Sequence, residues 1–384
     1  MLLNSVGMMG EVVVLGWVSL ELTNSPFLVG VAMSMRALPL FFVGAPAGAL
    51  ADRFSRRRLL MVTGLGQALT AGTLGTLSLL GVVAYGHLLA LTLAAGTLRG
   101  LEHAARQSYT HDVVGGPALL KGLAVLGIGM RSGWLVGSLG AGAIIAHFGS
   151  GFAYLAVALG FLFGGLALLP ASREKPHEAP HGESVWQSVL GFANAVRTDA
   201  SLLTLMLLTA GAEVLGFSHQ ALLPSLARDV LRTGPEGLGA LAAARSVGGI
   251  LGLVAAYGRG AAWGGGALFV GVLLAFGVSL VALGLAPMLV GLAGVWVVLV
   301  AVNAAGALAD LLAQSLLQLS MPDHLRGRAG GAWVVAIGLA PVGQMQIGAL
   351  ASLLGVSIAL GASGLALVVL AGTTALLVPR LRRL

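Results

Sequence analysis

Two short patterns place acids and arginines at matching positions far apart in the chain. Glu11 stands in GEV and Glu213 in AEV, and Gly30 precedes Arg36 by six residues just as Gly239 precedes Arg245 by six. All lie within long apolar stretches. An arginine at mid-membrane costs about 2.5–3.5 kcal/mol on insertion scales, so Arg36, Arg99, Arg131 and Arg245 need a cavity or a counter-charge. Counting from Asn24, Glu11 is thirteen residues back and Arg36 twelve forward, which at 1.5 Å per residue puts both roughly 18–20 Å from that end. They can meet. Such a pair can carry a proton, hold a charged substrate, or be a static bridge between neighbouring helices; Glu213 with Arg245 suggests the same pairing later in the chain.

A second charged group falls in RGLEHAARQ, where Arg99, Glu102, His103 and Arg106 recur at spacings of three and four and share a helix face. His103 could titrate near neutral pH or simply be packed. Asp310, 22 residues beyond Met288, is expected at the inner membrane edge as a solvated or helix-pairing group. Trp17, Trp134, Trp296 and Trp333 lie within apolar stretches, where they serve packing or an aromatic wall for an amphipathic ligand. His177 and His181 are flanked by Pro176 and Pro180, which break the helix that their spacing would need to hold a metal. No metal or cofactor is expected. No GxxxxGK[ST] loop occurs, which argues against ATP hydrolysis and leaves an ion gradient as the energy source. Nothing resembles a nucleophile elbow or a metalloprotease helix, so no enzyme is expected.

The elements that must position these residues are membrane helices. Of 384 residues 57% are hydrophobic and only 9% charged, with mean hydropathy +0.96, too few polar side chains to cover a soluble surface. Turn signals divide the chain into twelve spans, near 3–22, 27–50, 59–81, 87–109, 118–146, 151–169, 200–224, 237–257, 264–284, 288–312, 329–352 and 356–378. Their many glycines fall at small-xxx-small spacing, which lets helices approach closely in lipid. The first span is followed by Glu21 and Asn24 and lacks a preceding Lys or Arg, unlike a cleavable signal. The net charge of +7 sits in short loops, so anionic lipid headgroups rather than nucleic acid are the expected partner. Placing both termini in the cytoplasm puts Arg173, Lys175, Arg326, Arg328, Arg380, Arg382 and Arg383 inside, with Arg228 and Arg232 outside. The chain divides into halves at 1–169 and 200–384, joined by a polar linker, 170–199, that carries an amphipathic helix on the inner membrane surface. Zero cysteines exclude disulfides and thiol chemistry.

The segment GAPAGALADRFSRRR, Gly44 to Arg58, joins spans two and three with a basic knot. Twelve spans, a six-plus-six split and this knot resemble the major facilitator superfamily. That resemblance implies an all-α membrane protein with two pseudo-symmetric six-helix halves. The family's loop signature maps onto Gly48, Asp52, Arg53, Arg56 and Arg57, with Ser55 where the family has a second glycine. The resemblance further implies that Asp52 latches an arginine low on the fourth span to close the cytoplasmic side, and Arg106 is at matching depth; a plain surface patch is the alternative. A fifth-span antiporter signature survives in part as Gly133, Gly137, Ser138, Ala141 and Gly142, without its proline. The stretches LLPSLARDVLRTGPEGLGAL from Leu222 and LLQLSMPDHLRGRAGGAW from Leu316 resemble the branch containing the enterobactin exporter and macrolide efflux proteins.

The expectation is a proton-coupled exporter of amphipathic small molecules, monomeric, in the bacterial inner membrane, working by alternating access. Glu11 is the first candidate proton carrier and Glu213 the second. An uptake symporter or facilitator on the same fold, and a non-transporting sensor or scaffold, remain alternatives.

Overall fold

The computed structural model describes residues 2–53, 55–114, 119–169, 200–258, 265–319 and 338–378. Every regular element among them is helical. In chain order the spans are α1 (Leu2–Thr23), α2 (Pro26–Arg53), α3 (Arg56–Leu79), α4 (Tyr85–Val114), α5 (Leu119–Phe148), α6 (Ser150–Leu166), α7 (Ala200–Val230), α8 (Gly234–Gly258), α9 (Gly266–Leu289), α10 (Gly291–Leu319), α11 (Ala340–Leu354) and α12 (Val356–Leu377). The linker 170–199 with its amphipathic helix, His177 and His181, and the segment bearing Arg326, Arg328 and Trp333 lie outside the described residues.

Helix ends follow local chemistry. Thr23 Oγ1 turns back onto the Ser19 carbonyl at 2.6 Å, Asn24 takes the left-handed conformation at φ 50°, and Pro26 opens α2, where its missing N–H costs nothing. Ser55 explains the departure from the loop signature: its hydroxyl caps α3 by accepting from the Arg58 N–H at 3.4 Å. Two glycines mark the internal repeat. Gly149 between α5 and α6 has φ 90° and ψ 167°, and Gly355 between α11 and α12 has φ 88° and ψ 158°. A side chain at either position would be strained.

The two halves repeat the same helix pairs. In the first, α1 packs on α5 and α6, and α3 on α4 and α6; in the second, α7 packs on α11 and α12, and α9 on α10 and α12. Grouping by contact gives two compact units, 1–24 with 32–182 and 233–243, and 25–31 with 183–232 and 244–384. The exchanged pieces follow from two glycines in equivalent places. A Cβ at Gly30 would lie 2.3 Å from the Gln344 carbonyl oxygen, and one at Gly239 would lie 2.8 Å from that of Ser138. Backbone contact of this kind draws the start of α2 to α11 and the start of α8 to α5. The second unit's apolar core is built from Leu202, Leu205 and Leu208 of α7, Phe269 and Leu273 of α9, and Leu312 and Leu316 of α10. Large apolar side chains also stay uncovered, among them Leu69, Phe163, Val254, Leu285 and Leu353. On helices this apolar they face hydrocarbon rather than water.

Two sequence expectations are corrected. The external loop expected over 225–236 is mostly helix: α7 continues to Val230 because Leu226 and Ala227 remain buried. Within it, π-helical turns at Ala212–Gly216 and Leu226–Val230 flank a 3₁₀ stretch at Phe217–Leu222. Pro224 cannot donate to the ladder, and Ser363 Oγ satisfies the Leu215 carbonyl at 2.9 Å. Asp310 does not end its helix. α10 runs nine residues past it to Leu319 rather than ending near 312, and its 29 residues are longer than a bilayer requires.

Candidate functional site

Among the described residues of the first unit, two separate groups of buried charge form around Glu11 and Glu102. Glu11 sits on α1 and is 6% exposed. Its Oε2 accepts from Arg99 Nη2 of α4 and lies 3.5 Å from Arg36 Nε of α2. Gly96 makes this convergence possible: a Cβ there would lie 2.6 Å from the Arg36 carbonyl oxygen, so α4 meets α2 backbone to backbone one turn before Arg99. Gly10 brings α1 onto α6 next to Glu11, with Val157 Cγ2 3.0 Å from where a Cβ would stand. Sequence spacing pointed to Arg36 as the partner; Arg99 makes the direct hydrogen bond.

The second group separates the remaining charges of α4 from Arg99. Glu102 accepts from Arg106 one turn on and from Gln67 Nε2 of α3 at 2.8 Å, and all three are buried. Gln67 had drawn no attention in the sequence; its signal was a lone amide in an apolar span. Arg106 also approaches Met130 Sδ at 4.0 Å. The side chains of Asp52, Arg53, Arg56 and His103 lie outside what is described. Gly48 lies within α2. Arg57 of the basic knot donates from Nε to the Leu168 carbonyl at 2.7 Å and from Nη2 to that of Leu169. It thus ties down the turn that follows α6, placing a cation near the negative end of the helix dipole.

The fifth-span motif is a close-packing surface. A Cβ at Gly133 would stand 2.7 Å from Ser5 Cβ, one at Gly137 2.2 Å from the Val6 carbonyl oxygen, and one at Gly142 2.7 Å from that of Pro235. Ser138, where the signature has proline, is fully buried and donates to the Leu135 carbonyl at 3.0 Å. On the same helix Arg131 lies 6.0 Å from the Trp134 ring centroid. Trp17 is nearly buried and donates to Glu21 at 2.6 Å.

The second unit holds a cavity of about 200 Å³ lined by Glu213, Phe217, Ser218 and Gln220 of α7, Arg245 of α8, Asp310 of α10, and Ala340 and Gln344 of α11. Its position follows from the break in α7, since Glu213 stands in the first π-helical turn, a distortion common at functional sites. Close approaches set its walls. A Cβ at Gly343 would lie 2.6 Å from the Val214 carbonyl oxygen, and one at Gly248 2.4 Å from that of Val300, which brings α11 onto α7 and α8 onto α10. Phe217 stacks edge-on against Phe276 at 5.2 Å between centroids. Asp310 accepts from Gln314 Nε2 at 3.4 Å on its own helix. Two carboxylates, one guanidinium, two amides and an aromatic ring therefore face one small space. Asp310, expected at the membrane edge, belongs to this group. Among the described residues no three His, Cys, Asp or Glu side chains gather as a metal site requires.

A profile described as the Major Facilitator Superfamily matches residues 1–343. The chain belongs to the major facilitator superfamily. It is a multi-pass membrane transporter of small molecules, on a fold of transport rather than catalysis. Comparison with curated protein sequences finds no match. Among solved structures, the superfamily fold recurs in a mutant of the nucleoside transporter NupG, with TM-score 0.83, 12% identity and coverage of 98% of this chain and 97% of that one. A peptide transporter, POT, in complex with sulfate aligns with TM-score 0.81 at 14% identity over 100% and 93%. A bacterial homologue of the human lysosomal transporter Spinster, inward-facing and occupied, aligns with TM-score 0.74 at 16% identity over 98% and 94%. At these identities the likeness is one of fold.

Proposed function

We propose that this major facilitator protein is a proton-coupled exporter of amphipathic small molecules. It sits in the bacterial inner membrane as a monomer with both termini cytoplasmic, in the branch resembling the enterobactin exporter and macrolide efflux proteins. The observation that carries the reading is the cavity lined by Glu213, Asp310 and Arg245. Two carboxylates beside one guanidinium leave room for one further positive charge, which a proton or a cationic substrate group can supply. Phe217 offers an apolar face, while Gln220 and Gln344 offer hydrogen bonds that orient a polar group. This geometry promotes Glu213 above Glu11 as the proton carrier, because Glu11 already has two guanidinium groups against it. Protonation and substrate then bias the same inward–outward equilibrium, each by its differential affinity for the two states. The basic knot acts as the cytoplasmic latch, with Asp52 engaging Arg106.

A substrate screen in inverted membrane vesicles, with the pH gradient imposed or collapsed, tests this reading. Gradient-dependent accumulation of amphipathic compounds supports export. Flux in the opposite direction assigns uptake on the same fold, and no flux of any compound favours the scaffold.

A further inference from the structure

Against the Glu213 cavity lies a second, far smaller one of about 10 Å³, close to the least space that a water molecule needs. It is lined by Thr209 and Ala212 of α7, Phe269 of α9, and Ala309 and Ala313 of α10. Glu213, Phe217 and Asp310 line both cavities and so form the wall between them. Phe217, held edge-on against Phe276, is the apolar part of that wall, and the two carboxyls are its polar part. The offset of the small cavity has a direction. Thr209 stands one turn before Glu213 on α7, and Ala313 stands three residues after Asp310 on α10. Glu213 and Asp310 meet at one cavity while Leu202 and Leu205 share a core with Leu312 and Leu316, so the two helices run antiparallel. Both steps therefore lead to the end where α7 begins and α10 finishes. The main cavity extends the other way along α7, to Ser218 and Gln220. The chemistry of the small cavity suits water and little else. A water there meets the carboxyls of Glu213 and Asp310, and also Oγ1 of the buried Thr209, whose own proton is donated to the Leu205 carbonyl at 2.8 Å. Among the described residues Asp310 of α10 and Arg245 of α8 are the charged groups facing Glu213, while α9 presents Phe269 and α11 presents Gln344.

We propose that the small cavity is a proton port for Glu213, separate from the entrance that substrate uses: it holds one water that joins the Glu213 and Asp310 carboxyls on the side away from the main cavity. The port rests on the reading of Glu213 as proton carrier; the water site does not. In unloading, the Glu213 O–H bond breaks as the water takes its proton, and another O–H bond of that water breaks as Asp310 takes the second proton. The water is restored, and one negative charge has passed from Asp310 to Glu213. Loading reverses these steps. A substrate that fills the main cavity therefore leaves the proton's way to Glu213 open.

Infrared difference spectroscopy after a rapid pH jump, on the full chain in phosphatidylcholine nanodiscs, tests this with protons and water as the only probes. The Glu213 carboxyl band is the one missing from Glu213→Gln. In the wild type, a water O–H band that moves in oxygen-labelled water should change together with it. Ala313→Val fills the small cavity; it should remove that water band and slow the Glu213 band by about tenfold, as expected for losing one hydrogen bond to a charged group. Thr209→Val keeps the shape of the side chain, takes away one acceptor and should act in the same direction. It decides alone if Ala313→Val does not fold. Ala340→Leu narrows the main cavity, which Ala340 lines without reaching the small one, and should leave the rate of the Glu213 band within about twofold of wild type. An unchanged rate and water band in the port variants, or equal slowing by Ala340→Leu, overturns the port while Glu213 remains the carrier. A water band that Ala313→Val removes, with no Glu213 band at any pH, keeps the water site and removes Glu213 as carrier.

Discussion

The fifth-span glycines offer a paired experiment on one helix. At Gly137 an added Cβ would lie 2.2 Å from the Val6 carbonyl oxygen and 3.0 Å from the Val6 Cα and carbonyl carbon. Ordinary contact needs more than about 3.2 Å, so α1 must retreat by about 1 Å, and overpacking of that kind costs about 1–3 kcal/mol. The obstacle is main chain inside α1 and cannot rotate away. On its far side α1 is held by α6, since a Cβ at Gly7 would already stand 3.2 Å from the Phe161 ring. At Gly140, one turn along α5, nothing stands within 4 Å of an added Cβ, so Gly140→Ala changes only helix propensity, a gain of up to about 1 kcal/mol. Gly137→Ala has the same propensity gain, which cancels in the comparison, so the two alanines should differ in stability by the overpacking cost of about 1–3 kcal/mol, Gly140→Ala at or above the wild type and Gly137→Ala the less stable of the two. Thermal unfolding of the purified protein in one detergent, with wild type as reference, measures the difference. Equal melting of the two variants would refute close packing as the reason for the motif.

Four further outcomes follow from named contacts. Glu213→Gln should abolish accumulation driven by a pH gradient while substrate counterflow survives; undiminished accumulation would remove Glu213 as carrier. Asp310→Asn, at the same cavity, should shift the pH dependence of transport rather than substrate binding; an unchanged profile would separate it from coupling. Arg57→Ala removes the two bonds onto the carbonyls of Leu168 and Leu169 in the turn that follows α6, at a cost of about 1–3 kcal/mol, and should speed hydrogen exchange in that turn without touching α5. Gln67→Leu leaves Glu102 without its amide donor and should lower stability by about 1–3 kcal/mol, read by the same melting assay.

Helix order was legible because hydrophobic length and turn residues are local. So was the repeat: Gly30 and Gly239 stand six residues before Arg36 and Arg245, and both prove to be backbone contact points. Depth counting from Asn24 brought Glu11 and Arg36 together, since a tight turn fixes two helices to one origin. The same count could not find Arg99, which comes from another hairpin and needs the Gly96 approach to reach Glu11. The inner end of α10 was set near 312 because the count relied on bilayer thickness, which the helix outruns to Leu319. Gln67 as a partner for Glu102 depends on the rotation of α3 against α4, which apolar composition leaves undetermined. The break in α7 was signalled only by Pro224, and its extent depends on tertiary partners such as Ser363.

The central claim is that substrate movement and proton movement are coupled through the cavity of Glu213, Asp310 and Arg245. Proteoliposomes containing the purified protein and a trapped pH-sensitive dye test it directly, once a transported compound is in hand. Adding that compound without any imposed gradient should move protons across the membrane for wild type, and should move none for Glu213→Gln although the compound still exchanges. Substrate flux with no accompanying pH change in the wild type would contradict the account.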